Sequence, residues 1–178
     1  MSGHSKWSTI KHKKALTDAK RSKVFSKASS LISIAARKGG DPDKNPTLRA
    51  AILKVREVNL PKDNIDRAIK RGTGEIAGVA LEEVAYGAFG PGGVAILITA
   101  ITDNKNRTLA EIKKILNENK SKFVELGSIQ WMFRRKGADW VPDLPVKIDD
   151  NTKKELDALY EALDEQQDVN EIYDNTGD

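Results

Sequence analysis

The sequence predicts an α+β protein in which an N-terminal basic three-helix bundle is followed by a ferredoxin-like α+β domain. Between residues 17 and 75, apolar residues recur at steps of three and four, which is typical of helices. Beyond residue 82 the pattern changes to alternating and β-branched segments with two helical stretches between them. The charge balance also changes sign. We therefore predict a flexible basic arm over residues 1–16, a three-helix domain over 17–75 and an α+β domain over 76–178.

Three helices are predicted in the basic part. The first begins near Thr17 and stops at Gly39-Gly40, because glycine commonly follows a helix C-terminus. The second follows Asn45-Pro46, since proline is tolerated in the first helical turn. The third runs from about Lys62 to Arg71, with Gly72 as its stop. Each helix has one apolar stripe, so the three can pack as a bundle.

The sequence pattern over residues 76–178 predicts strands and helices in the order β-β-α-β-(β)-α-β. A hairpin is formed by strands near residues 84–88 and 94–101, because a turn cluster, Phe89 to Gly93, separates them. A third strand is predicted over Ser128–Arg134, with Ile129, Trp131 and Phe133 on one side. The remaining predicted elements are a helix over Asn106–Asn119, a broken edge strand within Asp139–Ile148, a helix over Asn151–Gln166 and a closing strand over Asp168–Tyr173.

The composition excludes several classes of protein. The chain has no cysteine, which excludes disulfide scaffolds, thiolate nucleophiles, zinc ribbons and iron–sulfur clusters. The longest apolar run, Val94 to Ile101, is too short to span a bilayer. No apolar segment follows the basic N-terminus, as a signal peptide would require. We therefore expect a cytoplasmic protein with no membrane partner.

The charge distribution predicts a polyanionic partner. Residues 1–72 contain 18 basic and 6 acidic residues, a balance of +12. Residues 73–178 contain 12 basic and 20 acidic residues, a balance of −8. A basic half attracts nucleic acid and an acidic half is repelled by it. The alternative is a solvated basic face without a ligand.

Long segments of the chain resemble one known family. They are MSGHSKWSTIKHKKA, KGGDPDKNPTLRAAI, NLPKDNIDRAIKRGTGE, YGAFGPGGVAILI, TDNKNRTLAEIKKIL and GSIQWMFRRKG, with a closing LDALYEALDEQQDVNEIYDN. On these residues the chain resembles the YebC-type family of transcriptional regulators and translational activators of bacteria and mitochondria. The resemblance implies a DNA-binding transcriptional regulator. It equally implies the alternative, a factor that binds ribosomal RNA on the ribosome and relieves stalled translation.

The resemblance includes one departure. Family members usually carry a third domain inserted after the strand that contains WMF. Here KGADWVPDLPVKIDDNTKKEL leads from that strand almost directly to the closing helix. We therefore expect a short form that lacks the inserted domain.

The basic arm and the start of the first helix form the first candidate nucleic-acid site. Each lysine that neutralises a phosphate releases a counterion, and Trp7 can stack on an unpaired base. The alternative is that Trp7 holds the arm against the bundle while the lysines face water. The candidate residues are Lys6, Trp7, Lys11, His12, Lys13, Lys14, Lys20, Arg21 and Lys23, with Lys27 beside them.

Two further basic groups are candidates. The third helix carries Lys62, Arg67, Lys70 and Arg71 on its outer part. Acidic residues, Asp63 and Asp66, lie among them, so we expect contacts with the phosphate backbone rather than base reading. The last group, Arg134, Arg135 and Lys136, either touches RNA or protects a sheet edge by its charge.

The sequence predicts no enzyme. The glycine-rich turn at Phe89 to Gly93 lacks the Lys-Ser/Thr of a phosphate-binding loop. The only histidines, His4 and His12, have no cysteine or carboxylate at ligand spacing. We therefore expect no catalytic residue, metal, cofactor or small-molecule substrate. A weaker third hypothesis is an adaptor whose acidic domain binds a basic protein.

Overall fold

A computed structural model describes residues 17–177 of the chain, so the arm predicted over residues 1–16 lies outside the described residues. The described chain forms two compact units, one within residues 15–83 and the other within residues 84–178. We call them the helical unit and the sheet unit. Three helices build the first, which ends at the start of a strand, and helices and strands build the second. The predicted α+β class is confirmed.

The helical unit contains α1 (Asp18–Ala36), α2 (Pro46–Arg56) and α3 (Lys62–Thr73). The predicted starts of the first two helices are confirmed. The side chains of Thr17 and Asn45 each accept a hydrogen bond from the backbone amide of the third residue of the helix that follows. Asn45 also donates from Nδ2 to the carbonyl oxygens of Ala35 and Gly39, both at 2.8 Å. One buried amide therefore fixes the turn between α1 and α2.

The helices close around one core, and α1 and α3 approach each other closely within it. The hydroxyl of Ser33 donates to the carbonyl oxygen of Ala68 at 2.9 Å. Gly72 was predicted to end the third helix, and this is wrong: α3 continues to Thr73, and Gly74, at φ +83°, caps it. Gly72 instead lies where α3 crosses α1, and a Cβ there would come within 2.7 Å of the Cβ of Ala36. The core residues include Ile32, Ala36, Leu48, Val55, Ile65 and Ala68.

The sheet unit has a four-stranded sheet in the order β3-β1-β2-β6 and a separate two-stranded hairpin, β4-β5. The two edge strands, β3 and β6, run antiparallel to their neighbours, and Phe89 pairs with Lys122 and Ile98 with Ile172. The elements follow in chain order as β1 (Glu82–Phe89), β2 (Ala95–Thr102), α4 (Lys105–Glu118), β3 (Lys122–Val124), α5 (Leu126–Ile129), β4 (Phe133–Lys136), β5 (Asp139–Pro142), α6 (Asp150–Glu165) and β6 (Val169–Asp174).

Both faces of the four-stranded sheet are covered. Because successive side chains of a strand point to opposite faces, Ile96 and Ile98 pack in one core and Ala95 and Leu97 in another. The first core is shared with α4 and α6. The second is closed by the segment 126–140, which contributes Ile129 and other apolar residues. This double burial accounts for the continuous apolar run of β2.

The predicted third strand over Ser128–Arg134 is wrong. That segment forms the short helix α5, a 3-10 turn and the beginning of β4. Ile129 and Phe133 are buried, while Trp131 between them is 63% exposed, so the alternation inferred from the sequence does not exist. The third strand of the sheet is instead Lys122–Val124, which is too short to show a period of two. Between β4 and α6 lie only β5 and the loop 143–149.

A buried polar cluster joins β2, α4 and the start of β6. The carboxylate of Asp168 accepts hydrogen bonds from Thr108 Oγ1 at 2.7 Å, Arg107 at 2.9 Å and Gln166 Nε2 at 3.2 Å. Burial raises the pKa of Asp168, but these donors more than offset that effect and hold its pKa below the ordinary value. Hydrogen bonds to Asp168 and Asp103 raise the pKa of Arg107. The cluster therefore holds an ion pair in its charged form.

None of the helices within residues 17–177 combines the length and the apolar composition needed to cross a membrane.

Candidate nucleic-acid interface

The predicted contact residues of α1 and α3 lie on the surface of the helical unit. Ile65 and Ala68 lie on the buried side of α3. The residues on its other sides face solvent. The exposed basic residues are Lys20, Arg21 and Lys23 on α1 and Lys62, Arg67, Lys70 and Arg71 on α3. The other predicted contacts, Lys6, Trp7, Lys11, His12, Lys13 and Lys14, lie outside the described residues.

Three cations are grouped on the last two turns of α3. Arg67, Lys70 and Arg71 stand at i, i+3 and i+4, which places them on one side of the helix. Basic side chains near a helix C-terminus also interact favourably with the helix dipole, which is a structural reason for Lys70 and Arg71. Acidic Asp63 and Asp66 are exposed on the same helix. The outer surface of α3 is therefore basic at its C-terminal end and mixed at its N-terminal end.

Lys27 is not part of this exposed surface. It was grouped with the cations of α1 from the sequence, but only 6% of it is exposed. It follows Val24 and precedes Ala28 on the buried side of α1. Lys27 can be buried because a lysine packs its long alkyl stem against apolar neighbours.

An open groove of about 840 Å³ runs between α1, α3 and the segment that follows α3. We call it the α1–α3 groove. It brings Arg21 of α1 and Arg71 of α3 to one concave surface, although they lie far apart in the sequence. The α1 side of the groove presents a row of serines with Phe25 and Arg37 among them. The lining residues are Asp18, Arg21, Ser22, Phe25, Ser26, Ser29, Ser30, Ser33, Ile34, Arg37, Asn64, Arg71, Gly72, Ala77, Gly78, Val79 and Leu81.

The segment 77–81 forms one wall of the groove. Arg37 donates a short hydrogen bond from its guanidinium to the carbonyl oxygen of Leu81. Gly78 lies against the side chain of Arg71, since a Cβ there would meet its Cγ at 3.5 Å. Arg21 pairs with Asp18 at 3.9 Å. The groove therefore contains three guanidinium groups, one of which has an acidic partner within the same lining.

Neither Arg37 nor the serines of the groove were predicted as site residues from the sequence. A signal was present, because Ser22, Ser26, Ser29 and Ser33 recur at steps of three and four on α1. Serines at that spacing have no apolar character, so they were not recognised as one face of the helix. The close packing at Gly72, which brings α3 beside this face, has no sequence signal of its own.

The basic group on the sheet unit is largely engaged in local contacts. Arg134 forms a short ion pair with Asp143. The guanidinium of Arg135 lies 4.3 Å from the ring centroid of Trp140, and its Nη1 donates to the carbonyl oxygen of Ala138 at 3.0 Å. Lys136 is exposed next to the turn at Gly137. Two of the three cations thus stabilise the β4–β5 hairpin.

The charge difference between the two units is smaller than the sequence division at residue 72 indicates. Residues 15–83 contain 14 basic and 9 acidic residues, a balance of +5. Residues 84–178 contain 12 basic and 17 acidic residues, a balance of −5. The decrease has two sources: the lysines of residues 1–14 are left out, and Glu75, Glu82 and Glu83 belong to the helical unit. Among the described residues, no group of three or more His, Cys, Asp or Glu side chains is arranged to hold a metal ion.

Two family models match the chain. The model of the TACO1/YebC protein N-terminal domain matches residues 5–75, and the model of the TACO1/YebC second and third domain matches residues 81–138. A crystal structure of a conserved hypothetical protein from Aquifex aeolicus is similar, with a TM-score of 0.82 and 30% identity, over 96% of each chain.

Curated relatives share about half of their residues with this chain. A protein of Fervidobacterium nodosum is 50% identical over 93% of this chain and 66% of its own length. A protein of Dictyoglomus turgidum is 54% identical over 84% of this chain and 61% of its own length. Both are named "Probable transcriptional regulatory protein". The chain thus spans less than two thirds of the length of these two relatives.

Proposed function

The chain belongs to the TACO1/YebC family, and from that premise we propose that it regulates transcription by binding DNA through its helical unit. The observation that carries this proposal is the exposed basic surface at the C-terminal end of α3, where Arg67, Lys70 and Arg71 share one side. The names of the relatives support a role in regulation. The proposal includes the arm residues predicted from the sequence, with their lysines as additional phosphate contacts and Trp7 as a stacking residue.

We expect this surface to contact phosphates rather than base edges. Guanidinium and ammonium groups bind the phosphate oxygens of DNA whatever its base sequence. Exposed Asp63 and Asp66 on the same helix would be repelled by phosphate, which limits how deeply α3 can enter a groove of DNA. Binding is therefore driven by charge and carries little sequence preference.

A second candidate function, translational activation through ribosomal RNA, is favoured by the α1–α3 groove. Its volume of about 840 Å³ suits an unpaired strand better than a duplex. Crosslinking in cells followed by sequencing of the bound nucleic acid distinguishes the two functions. Enrichment of promoter DNA supports transcription, and enrichment of ribosomal RNA supports translation. Recovery of neither would reject both.

Neutralising Arg67 and Lys70 together is expected to weaken binding and its dependence on salt. The slope of log K against log salt concentration is negative, and each phosphate contact with duplex DNA increases its magnitude by about 0.9. The double variant R67Q/K70Q should therefore reduce that magnitude by about 2. Fluorescence anisotropy with a labelled duplex, measured from about 50 to 200 mM salt, gives the slope directly.

The matched control is K153Q/K154Q, which removes the same charge from the exposed side of α6 in the sheet unit. We expect it to bind with the wild-type slope. If the wild-type protein binds with the same affinity at all of these salt concentrations, the electrostatic basis of the proposal is removed. If R67Q/K70Q and K153Q/K154Q have the same effect on the salt dependence of binding, the DNA-binding surface has been placed on the wrong unit.

A further inference from the structure

The α1–α3 groove has the chemistry of a site for an anionic, oxygen-rich ligand. Three guanidinium groups line it, and Asp18 is the one acidic residue in its lining. Because Asp18 pairs with Arg21, the cations without an acidic partner in the lining are Arg37 and Arg71. Guanidinium groups form paired hydrogen bonds with phosphate and carboxylate alike, so two such groups favour a ligand that carries more than one anionic group, as a nucleic-acid strand does.

Arg37 contacts the backbone of the groove wall. Its guanidinium is tied to the carbonyl oxygen of Leu81, which lies on the wall formed by residues 77–81. A guanidinium carries five N–H donors, so this bond leaves further donors for a ligand. Arg71 is held beside Gly78 on the same wall. Two cations from two helices thus lie beside one short segment that lines the groove.

Phe25 adds an aromatic surface to the groove. It is half-buried, so one part of the ring packs on the helical core and the other part faces the groove. Every nucleobase can stack on such a ring, whatever its identity. The serine hydroxyls beside it can donate to phosphate or sugar oxygens and accept from sugar hydroxyls. Ser33 is the exception, since its hydroxyl already donates to Ala68.

We propose that the α1–α3 groove binds an unpaired nucleic-acid strand, with phosphates at Arg37 and Arg71 and a base on Phe25. The volume of about 840 Å³ lies within the range of nucleotide-sized sites, and a base paired in a duplex could not reach Phe25. The inference rests on the proposed binding of nucleic acid by the helical unit and extends that binding to an unpaired strand. It assigns the ligand to a concave surface that shares Arg71 with the basic side of α3 and does not include Arg67 or Lys70.

The test compares binding of a labelled single strand of about ten nucleotides with binding of a duplex of the same length, using the full chain. We expect R37Q and R71Q each to weaken single-strand binding by about five- to tenfold. Phe25→Leu should weaken it by roughly tenfold through lost stacking. R37Q and Phe25→Leu should change duplex binding less, whereas R71Q should weaken binding of both probes because Arg71 also belongs to the basic surface of α3. The matched control is R49Q, which removes the same charge from the exposed side of α2, outside the groove.

Each outcome decides a separate question. If R37Q, R71Q and Phe25→Leu bind the single strand with the same affinity as R49Q, the groove is not the binding site. The proposed function is unaffected by that result. A wild-type chain that binds neither probe would overturn the proposed function itself. Photocrosslinking of a thiouridine-containing strand to the wild-type protein is independent of any variant. Crosslinks within residues 21–37 or 71–81 support the groove, and crosslinks only to other peptides overturn it.

Discussion

Alanine at position 72 is expected to destabilise the helical unit by about 2–4 kcal/mol. Glycine to alanine inside a helix normally stabilises it by about 1 kcal/mol, so the expected sign is the reverse of helix propensity. The reason is that a Cβ on Gly72 would lie 2.7 Å from the Cβ of Ala36 and closer still to the carbonyl oxygen of Ser33. A backbone carbonyl cannot rotate away, so α3 would have to move off α1.

Hydrogen exchange of the amides in α1 and α3 measures this effect without interference from the sheet unit. The matched control is Gly78→Ala in the same unit, where the nearest atom to the new Cβ is a flexible arginine side-chain carbon at 3.5 Å. Its stability should lie within about 0.5 kcal/mol of wild type. Equal protection in the Gly72→Ala variant and the wild-type protein would mean that the two helices are farther apart than described.

Asp168→Asn is expected to destabilise the sheet unit by about 2–3 kcal/mol at neutral pH. The variant keeps the shape of the side chain but removes the negative charge opposite Arg107, whose Nη2 lies 2.9 Å from the carboxylate. Only 11% of the Asp168 side chain is exposed, so water replaces little of the lost interaction. Urea denaturation followed by far-UV circular dichroism gives the difference in free energy of unfolding.

The effect has a defined pH dependence. Because folding lowers the pKa of Asp168, the folded state binds a proton less readily than the unfolded state. The stabilisation is therefore complete above the ordinary carboxyl pKa of about 4 and disappears as the pH falls through the lower value in the folded protein. The gap between wild type and Asp168→Asn should close in that acidic range. The control Asp157→Asn, on the exposed side of α6, should show no such gap at neutral pH.

Apolar residues at steps of three and four allowed the helices to be predicted from the sequence more accurately than the third strand of the sheet, and the cap residues agree with the observed helix starts. The side chains of Thr17, Asn45, Asn104 and Asp149 each accept a hydrogen bond from the first turn of the helix that follows. Such local chemistry is visible in the order of residues. The strand Lys122–Val124 has only three residues and no period to detect, and its pairing with β1 depends on distant residues.

The candidate site was predicted in part, for a related reason. The charge of α3 could be predicted because Ile65 and Ala68 define its buried side, which leaves the basic residues outside. The α1–α3 groove could not, because Arg21, Arg37 and Arg71 come together only when two helices and a following segment have packed. Gly72 illustrates the difficulty: a glycine near a helix end is ordinarily read as a stop, and here it permits a close helix crossing.

The turn of the β4–β5 hairpin makes the sheet unit tolerant of changes in chain length. Lys136 and Asp139 are paired across the hairpin, so their Cα atoms lie about 5 Å apart. A segment inserted between Lys136 and Asp139 would therefore begin and end at almost the same point in space. The exposed tip at Gly137 and Ala138 lies outside both apolar cores, so such a graft would disturb neither. A chain with additional residues at this tip would therefore keep both cores of the sheet unit unchanged.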